Sequence, residues 1–475
     1  MMRKAIIIAC LWAATALASA AAGMQLTNVV CFVRFSDQTE ATRLNDAAAM
    51  ETLMNASDAQ AQSVWRYYHD VSYGKLSWNS LIVNVDYTDS HPRGYFCKQS
   101  DTNPDGYSTI VTGYMREQVL IKDLCAAIES QVPEDAMLDG NHDGEIDNLM
   151  IVVLGNSDIS SSNLLWPHQN TMFWAKASIR GCDVDSYLMV FDGTNGAHPI
   201  NAGVMCHEMM HALDAYDLYS SGSLNPVGKW DLMSDNQPVP QGLTAYMRHT
   251  YGSKWGNWIP SITTLTQPGT YTLKPIFSES CDDVAYIIHP DLTRSEYFMV
   301  EYRRKTGWDA SIPSSGLICY RINPEVAGNL SASKFEEYIF RPDGSLTSKG
   351  TIEKANFNST VRRSSFGVDD KYYPFYSDGT RAQFALTDIG KAEESGITFT
   401  LRFPTSAIDE VTVAHTGISY DAMAQVVTAP GCSIVVYSAT GQVVARGTGE
   451  VSLGNLPAGL YVARGSNNAT IKILK

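Results

Sequence analysis

One short segment, from Val204 to His211 with the sequence V-M-C-H-E-M-M-H, constrains the fold of this 475-residue chain most strongly. His207 and His211 are four residues apart. On an α-helix such residues share one face, so both imidazoles can bind one metal ion. Glu208 lies beside the first imidazole, where a carboxylate can act as general base toward a metal-activated water. The pattern therefore predicts a helix over about residues 202–213 that carries a hydrolytic zinc site.

A catalytic zinc site needs a third protein ligand. No Glu occurs between Glu208 and Glu279, so a glutamate on a later helix fits poorly. In the other large class of such sites the third ligand lies six residues after the second histidine, and Asp217 occupies that position. We therefore predict Asp217 as the third ligand, and the alternatives are Asp214 and His249.

A second segment, Trp230-Asp231-Leu232-Met233, offers a methionine turn that would place an apolar floor beneath the metal. With these two segments the chain resembles the M6 peptidases, the immune inhibitor A-like metalloproteases. Further matches follow in family order at residues 64–68, 72–76, 165–168 and 296–303. The resemblance implies a secreted zinc metallopeptidase.

Asp214 departs from the pattern of that family, in which most members have glycine at this position. Glycine permits a sharp turn with positive φ after the second histidine. Asp is among the few other residues that tolerate this conformation, so we expect the turn to be retained.

The N-terminus has the composition of an export signal. Two basic residues at positions 3 and 4 precede an apolar run over residues 5–17, and residues 18–20 are small. The run is too short to span a membrane. The sequence therefore predicts a signal peptide over residues 1–22 and a secreted chain without a transmembrane segment.

The domain organisation follows from the strand and helix patterns. Apolar strands at residues 29–35 and 149–154, mixed with helices, indicate a zinc metalloprotease catalytic domain over residues 23–265. Short strands between Gly, Pro and Ser turns then predict a β-rich subdomain of the protease unit over residues 266–404. The predicted fold class is an α+β zincin-type metalloprotease domain with this β-rich subdomain and a C-terminal immunoglobulin-like β-sandwich over residues 405–475.

The C-terminal region also resembles the sorting domains of secreted Bacteroidetes proteins. The matching patterns are G-x-x-V from Gly441, L-P-x-G-x-Y from Leu456 and K-x-x-K from Lys472. The resemblance implies that secretion machinery exports the protein, so that it is secreted or lies on the outer surface of a Gram-negative bacterium. The alternative is an accessory β-sandwich without an address function.

Residues 139–147 follow the first nine positions of a calcium-binding loop. Position 12 is Met150, so the bidentate glutamate of a complete loop is missing. We expect a structural calcium site completed by water or another segment, and the alternative is a surface turn rich in Asp and Asn. The candidate ligands are Asp139, Asn141, Asp143, Glu145 and Asp147.

Charge and cysteine content limit the partners. The formal net charge of −15 becomes −17 when Arg3 and Lys4 leave with the signal peptide. An acidic chain argues against nucleic-acid and anionic-lipid binding, so extracellular proteins or peptides are the expected partners of a monomer. The eight cysteines beyond Cys10 are scattered singly, which favours free thiols over a disulfide framework.

The predicted mechanism is that of a zinc endopeptidase. Zinc, held by His207, His211 and Asp217, lowers the pKa of a bound water toward about 7, and Glu208 takes its proton and passes it to the leaving amine. The sequence does not identify the group that stabilises the oxyanion. Candidates are Tyr216, Tyr219 and His249, although packing or supporting roles fit them better, and His168 is interpreted as structural.

The alternative function is a non-catalytic surface adhesin or binding protein on a degenerate metalloprotease fold. Asp214 and the missing oxyanion hydroxyl favour it. The intact set of His207, Glu208 and His211 argues against it, because a binding module does not need the base.

Overall fold

The computed structural model describes residues 23–475 except 39–41, 159–163, 194–198, 404–416, 422–423, 440 and 468. The predicted signal peptide and the predicted boundary at residues 404–405 lie outside the described residues. The chain divides into two compact units, residues 1–403 and 404–475. Every helix in the described ranges is too short or too polar to cross a membrane.

A five-stranded, mostly parallel sheet organises the N-terminal part. The first seven strands along the chain are β1 (Met24–Arg34), β2 (Leu76–Thr88), β3 (Asn148–Leu154), β4 (His168–Thr171), β5 (Ser178–Ile179), β6 (Cys182–Asp183) and β7 (Ser186–Asp192). The sheet has the order β2-β1-β3-β7-β4, while β5 and β6 form a separate hairpin. The first four strands in that order are parallel, and β4 is an edge strand antiparallel to β7.

Helices cover both faces of this sheet. They are α1 (Ala47–Asn55), α2 (Val64–Val71), α3 (Ile110–Ile128), α4 (Ala202–His211) and α5 (Ala245–Thr250). Side chains of α1, α2, α4 and α5 share one core with Val30 and Phe32 of β1, whereas α3 packs with Val29, Cys31 and Val33 on the other face. The N-terminal part therefore mixes strands and helices, as we predicted, and places helices on both faces of one sheet in a layered α/β structure. The apolar runs of β1 and β3 favour this arrangement because inner parallel strands are buried on both faces.

The β-rich region shares its core with the catalytic part. Its strands are β8 (Thr263–Thr264), β9 (Gly269–Leu273), β10 (Ala285–Ile288), β11 (Tyr297–Arg303), β12 (Gly316–Ile322), β13 (Glu337–Ile339), β14 (Ala385–Thr387) and β15 (Ile397–Arg402). They form two sheets, of order β13-β12-β11-β10-β8 and β14-β15-β9. Along β11, Met299 faces the core that contains α4, and Phe298 and Val300 face a second core. The larger sheet thus belongs to both cores, because alternate residues of a strand point to opposite faces.

The C-terminal unit is all-β. Its strands are β16 (Ser419–Asp421), β17 (Val426–Ser438), β18 (Val443–Ser452), β19 (Leu460–Gly465) and β20 (Thr470–Leu474). The first part of β17 pairs with β16 and β18, and the last part pairs with β18 and β19. Since this long strand contributes to both halves, the described strands form one curled sheet and not the two separate sheets of a sandwich.

All eight cysteines of the described chain are free, as the sequence predicted. Four are buried, namely Cys31, Cys125, Cys206 and Cys319. Burial raises the pKa of Cys31 and Cys206 well above the usual value, so these side chains stay uncharged thiols. Cys206 therefore contributes packing to the core around α4.

A buried arginine fastens the β-rich region to the catalytic part. Arg303 on β11 is fully buried and donates two hydrogen bonds to Asp309, from Nε (2.7 Å) and Nη2 (2.6 Å). It also donates to the carbonyl oxygens of Trp230 (2.5 Å) and Gly242 (3.2 Å) in the catalytic part. Glu301 lies 3.3 Å away. One guanidinium thus joins two carboxylates and two distant backbone segments.

Replacing Arg303 by Met should lower the free energy of unfolding by about 3–5 kcal/mol, because the carboxylates of Glu301 and Asp309 would stay buried without their positive partner. Urea denaturation measures this loss. The matched control is Arg304→Met, since Arg304 lies next in the chain and is paired with the exposed Glu394 at 3.6 Å; it should cost less than about 1 kcal/mol. Equal losses for both variants would contradict the importance of the buried pair.

Candidate metal centre and catalytic cleft

Helix α4 presents both predicted histidines on one face. Asn201 caps its N-terminus, since Oδ1 accepts a hydrogen bond from the Val204 amide at 3.1 Å. All nine residues before His211 are buried, and the apolar ones pack into the core. The ring centroids of His207 and His211 lie 5.0 Å apart. The apolar packing of the helix therefore fixes the positions from which the two imidazoles extend.

Asp217 meets both imidazoles. Its Oδ1 lies 3.2 Å from Nε2 of His207 and 3.3 Å from Nε2 of His211. This oxygen is buried and makes no hydrogen bond of acceptable geometry. The three side chains bring their ligand atoms within 4.8 Å of one another. Two nitrogens and one carboxylate oxygen form the donor set of a catalytic zinc site, and the orphaned oxygen fits a cation between them.

The outer nitrogens of both histidines contact backbone carbonyls. Nδ1 of His207 lies 3.1 Å from the Leu232 oxygen, and Nδ1 of His211 lies 2.8 Å from the Ala215 oxygen. Because a carbonyl oxygen only accepts, Nδ1 carries the proton in each ring and Nε2 has a free lone pair for a metal. The backbone around the site thus selects the tautomer that a metal ligand needs.

The charge of Asp217 makes the site attractive to cations. Burial by itself would lower the pKa of His211, but the neighbouring carboxylate of Asp217 raises it to about 9. Burial would likewise raise the pKa of Asp217, but the two histidines hold it well below its usual value. A proton or a metal ion is therefore bound favourably among these three groups.

The predicted methionine turn lies beneath the site. Met233 is fully buried, and its carbonyl oxygen accepts a hydrogen bond from the Leu218 amide at 2.8 Å. Its own amide donates to Asp231 Oδ1 at 2.7 Å. The turn therefore contacts the segment that carries Asp217 and, through Leu232, also orients His207.

Glu208 opens onto a cavity of about 850 Å³ that also contains the three candidate ligands. The Glu208 side chain is only 6% exposed, so its carboxylate is largely shielded from bulk water. The cavity is lined by Tyr114, Leu164, Trp166, Pro167, His168, Gln169, Thr171, His207, Glu208, His211, Asp214, Ala215, Tyr216, Asp217, Tyr219, Ser234, Asp235, Asn236 and Leu330. A base and a metal-binding set thus share one cleft of the size that ligand sites have.

The two alternative ligands point elsewhere. Asp214 adopts φ of +68°, the conformation expected for the glycine position. Its carboxylate pairs with Lys254 Nζ at 2.8 Å, and both side chains are more than half exposed. Nδ1 of His249 contacts the Ile259 carbonyl at 2.6 Å, and His249 does not line the cleft. Asp214 therefore occupies the turn that follows His211, whereas the carboxylate of Asp217 contacts both histidines.

Tyr216 and Tyr219 both line the cleft, but their rings pack against different residues. Tyr219 stacks on the ring of His207, with 6.5 Å between centroids and an angle of 18°. Burial and the charge of Asp217 raise the pKa of its hydroxyl. Tyr216 is half exposed and packs against Tyr251. Tyr219 thus supports a metal ligand, which agrees with the supporting role expected for it.

The predicted calcium loop folds as a tight turn on its own backbone. Asp139 accepts hydrogen bonds from the amides of Asp143 (3.0 Å) and Gly144 (2.9 Å). Asp147 accepts a hydrogen bond from the Gly140 amide at 3.0 Å. The backbone of Glu145 forms an isolated β-bridge with the backbone of Asp183 in β6. In the described ranges, the His207 set is the one group of three or more His, Cys, Asp or Glu side chains with convergent ligand atoms. Calcium binding here stays a prediction.

Sequence reasoning missed the surroundings of His168. Its Nε2 lies 3.1 Å from Oε1 of Glu117, a buried residue of α3, and the Tyr187 hydroxyl donates to the same oxygen. Glu117 lies among the buried, mostly apolar residues of α3, together with Ile121 and Leu124. A carboxylate among these residues was the available signal, because buried charges require a partner.

Comparison with known proteins agrees with this geometry. Residues 43–255 match the family model of the immune inhibitor A peptidase M6 catalytic domain. No curated protein sequence matches the chain. Wild-type OgpA from Akkermansia muciniphila aligns over 64% of this chain and 73% of its own, with 11% identity and a TM-score of 0.25.

Catalytically inactive OgpA from the same organism, crystallised with an O-glycopeptide substrate, aligns over 95% and 92% with 7% identity and a TM-score of 0.25. Such TM-scores are too low to transfer a fold or a substrate. The family match, in contrast, covers the complete metal centre and Glu208. Residues 43–255 of this chain are therefore similar to the catalytic domain of the M6 metallopeptidases.

Proposed function

We propose that this protein is a secreted zinc-dependent endopeptidase of the zincin type that cleaves extracellular proteins or peptides. The buried Oδ1 of Asp217 carries the proposal, because it lies within 3.3 Å of both Nε2 atoms and makes no hydrogen bond. A carboxylate oxygen in that position would lose free energy on burial unless a cation compensated it. The M6 family match supports a metal-dependent peptidase.

Each group of residues in the cleft has its own role in amide hydrolysis. His207, His211 and Asp217 would hold zinc, which when bound supplies a Lewis acid for the attacking water and the scissile carbonyl. Glu208 accepts the proton of that water and delivers it to the leaving amine. Leu232 and Ala215 hold the imidazoles through their carbonyl oxygens, and Tyr219 stacks on His207.

Two substitutions should separate metal binding from proton transfer. Glu208→Gln should keep about one zinc per chain and lower casein hydrolysis more than about 100-fold, because only the base is lost. Asp217→Ala should lose both zinc and activity. Asp214→Asn is the matched control, since it removes the charge that faces Lys254, tolerates the positive φ of this position and should keep its zinc. Mass spectrometry measures the metal.

An active Glu208→Gln variant would contradict the mechanism. A wild-type protein that holds zinc without cleaving any member of a peptide library would instead favour the binding-protein alternative.

We also propose a structural calcium ion in the loop of residues 139–147. Its support is the charge at this place: burial and the charges of Asp185, Asp143 and Asp183 raise the pKa of Glu145. A divalent cation would offset that repulsion. Asp183 and Asp185 come from another segment and could complete the truncated loop.

Calcium added to the zinc-loaded protein should raise the thermal midpoint, with about 2.7 kcal/mol of stabilisation at 100 times Kd. Asp143→Asn should abolish this response, because it removes a ligand charge. Asp135→Asn, a change at an exposed site nearby, is the control and should respond as the wild type does. Calorimetry with and without calcium makes the comparison, and an unchanged response of Asp143→Asn would reject the site.

Finally, we propose that the C-terminal unit directs the protein across an outer membrane. The apolar N-terminal run and the K-x-x-K end at Lys472 to Lys475 support this location. In a Gram-negative host with the matching secretion machinery, the full chain should reach the medium or cell surface, and a chain without residues 405–475 should stay inside. Equal export of both would contradict the proposal.

A further inference from the structure

His168 lies in the edge strand of the first sheet and lines the catalytic cleft. It is the first residue of β4, which pairs with β7 through Met189. Its side chain is about one fifth exposed and lines the same cavity as Glu208 and the three candidate metal ligands. His168 is not part of the convergent metal-binding set. Its imidazole is therefore available for another role in the cleft.

Both ring nitrogens of His168 contact oxygen atoms that accept hydrogen bonds. Nδ1 lies 2.6 Å from the Trp166 carbonyl oxygen, and Nε2 lies 3.1 Å from Oε1 of Glu117. That carboxylate oxygen also accepts the hydroxyl of Tyr187. Each nitrogen must then carry a hydrogen, and an imidazole with two N–H groups has a positive charge. The geometry fixes a cation at the wall of the cleft.

The positive charge of His168 matters because the other charged side chains that line the cleft are acidic. The described residues that line it include no Lys and no Arg, but they include the carboxylates of Glu208, Asp217 and Asp235, besides Asp214, which pairs with Lys254. Glu117, which balances His168, is only 1% exposed and lies behind it. The positive end of this ion pair therefore faces the substrate space, and the negative end faces the protein interior.

Amide hydrolysis places negative charge on the carbonyl oxygen of the substrate. A preorganised positive group near that oxygen accelerates the reaction, because it needs no reorganisation as the charge develops. The segment after Met233 reads Ser234-Asp235-Asn236 and offers no tyrosine for this purpose. Two hydrogen bonds already hold the ring of His168 in place.

We propose that His168 is the fixed positive charge of the catalytic cleft, held by Glu117 and the Trp166 carbonyl, and that it stabilises the anionic oxygen formed beside Glu208. This inference rests on the proposed peptidase function and assigns to His168 an electrostatic role. Glu117 acts through His168 and is a positioning residue. Tyr187 supports Glu117 from β7.

The groups that face His168 keep it charged at neutral pH. They are the carboxylates of Glu117 on α3 and Glu208 on α4 and the carbonyl oxygen of Trp166, while the ring of Tyr187 on β7 packs against the imidazole at 6.4 Å between centroids. Burial lowers the pKa of His168, but the charge and hydrogen bond of Glu117, together with the charge of Glu208, raise it to about 9. Without the charge of Glu117, burial would dominate and lower the pKa of His168 below the ordinary imidazole value of about 6.5, so the ring would be neutral at neutral pH.

Two variants test the inference by steady-state proteolysis of a quenched peptide between pH 5.5 and 9. His168→Gln should lower kcat about 100-fold with little change in KM, because the lost charge acts on the transition state. Zinc content should stay at the wild-type value, while the thermal midpoint should fall, because the buried Glu117 loses its positive partner. The control is His249→Gln, because His249 lies outside the cleft lining.

Glu117→Gln keeps a hydrogen-bond acceptor but removes the charge. As the pH rises, its activity should start to fall at a pH below about 6.5, because burial then lowers the pKa of His168, whereas wild-type activity persists to higher pH. The double variant His168→Gln/Glu117→Gln should be no slower than His168→Gln alone, since Glu117 acts only through the imidazole.

The outcomes separate this inference from the proposed function. A wild-type protein without zinc-dependent proteolysis rejects the peptidase itself. If the wild type is active, a fully active His168→Gln overturns the role of His168. Should His168→Gln not fold, Glu117→Gln decides: a pH profile equal to that of the wild type overturns the inference, and a lost alkaline range supports it.

Discussion

The buried contact between Arg303 and Asp309 supports the arrangement on which the metal centre depends. Arg303 belongs to the β-rich region, yet it donates to the Trp230 carbonyl at the start of the methionine turn. From that turn, Leu232 orients His207 and Met233 binds the segment that carries Asp217. A guanidinium suits this place because its planar donors bind a carboxylate and two carbonyls at once. The β-rich region is therefore part of the catalytic support.

The cleft combines three kinds of electrostatic control. Backbone carbonyls select the histidine tautomers, a buried carboxylate attracts a cation, and a third imidazole is charged by its own buried partner. His211 and His168 have similarly raised pKa values, but for different purposes. Asp217 faces a space that a metal can occupy, whereas Glu117 lies behind His168. The same pairing of residue types thus gives a metal ligand in one place and a fixed charge in the other.

Much of the fold could be predicted from local patterns. The apolar run from Val29 predicted a buried strand, and this run lies in β1. The apolar run at residues 149–154 likewise predicted a buried strand, and it lies in β3. The mixed α/β character followed from the alternation of strand and helix patterns, but the order of the strands in the sheet did not, because it depends on contacts between distant segments. The C-terminal sandwich differed from the prediction, since a strand pattern does not reveal that β17 continues through both halves of one sheet.

The sequence by itself determined the helix with His207, Glu208 and His211, because a four-residue spacing on a helix is a local property. It also placed Asp217 within reach and Asp214 in a turn that tolerates positive φ. Only the tertiary structure decided which distant groups meet these side chains. Glu117 and His168 are 51 residues apart, and Leu232 lies 25 residues from His207. Such contacts arise from the packing of separate elements, which the periodicity of a single element does not encode.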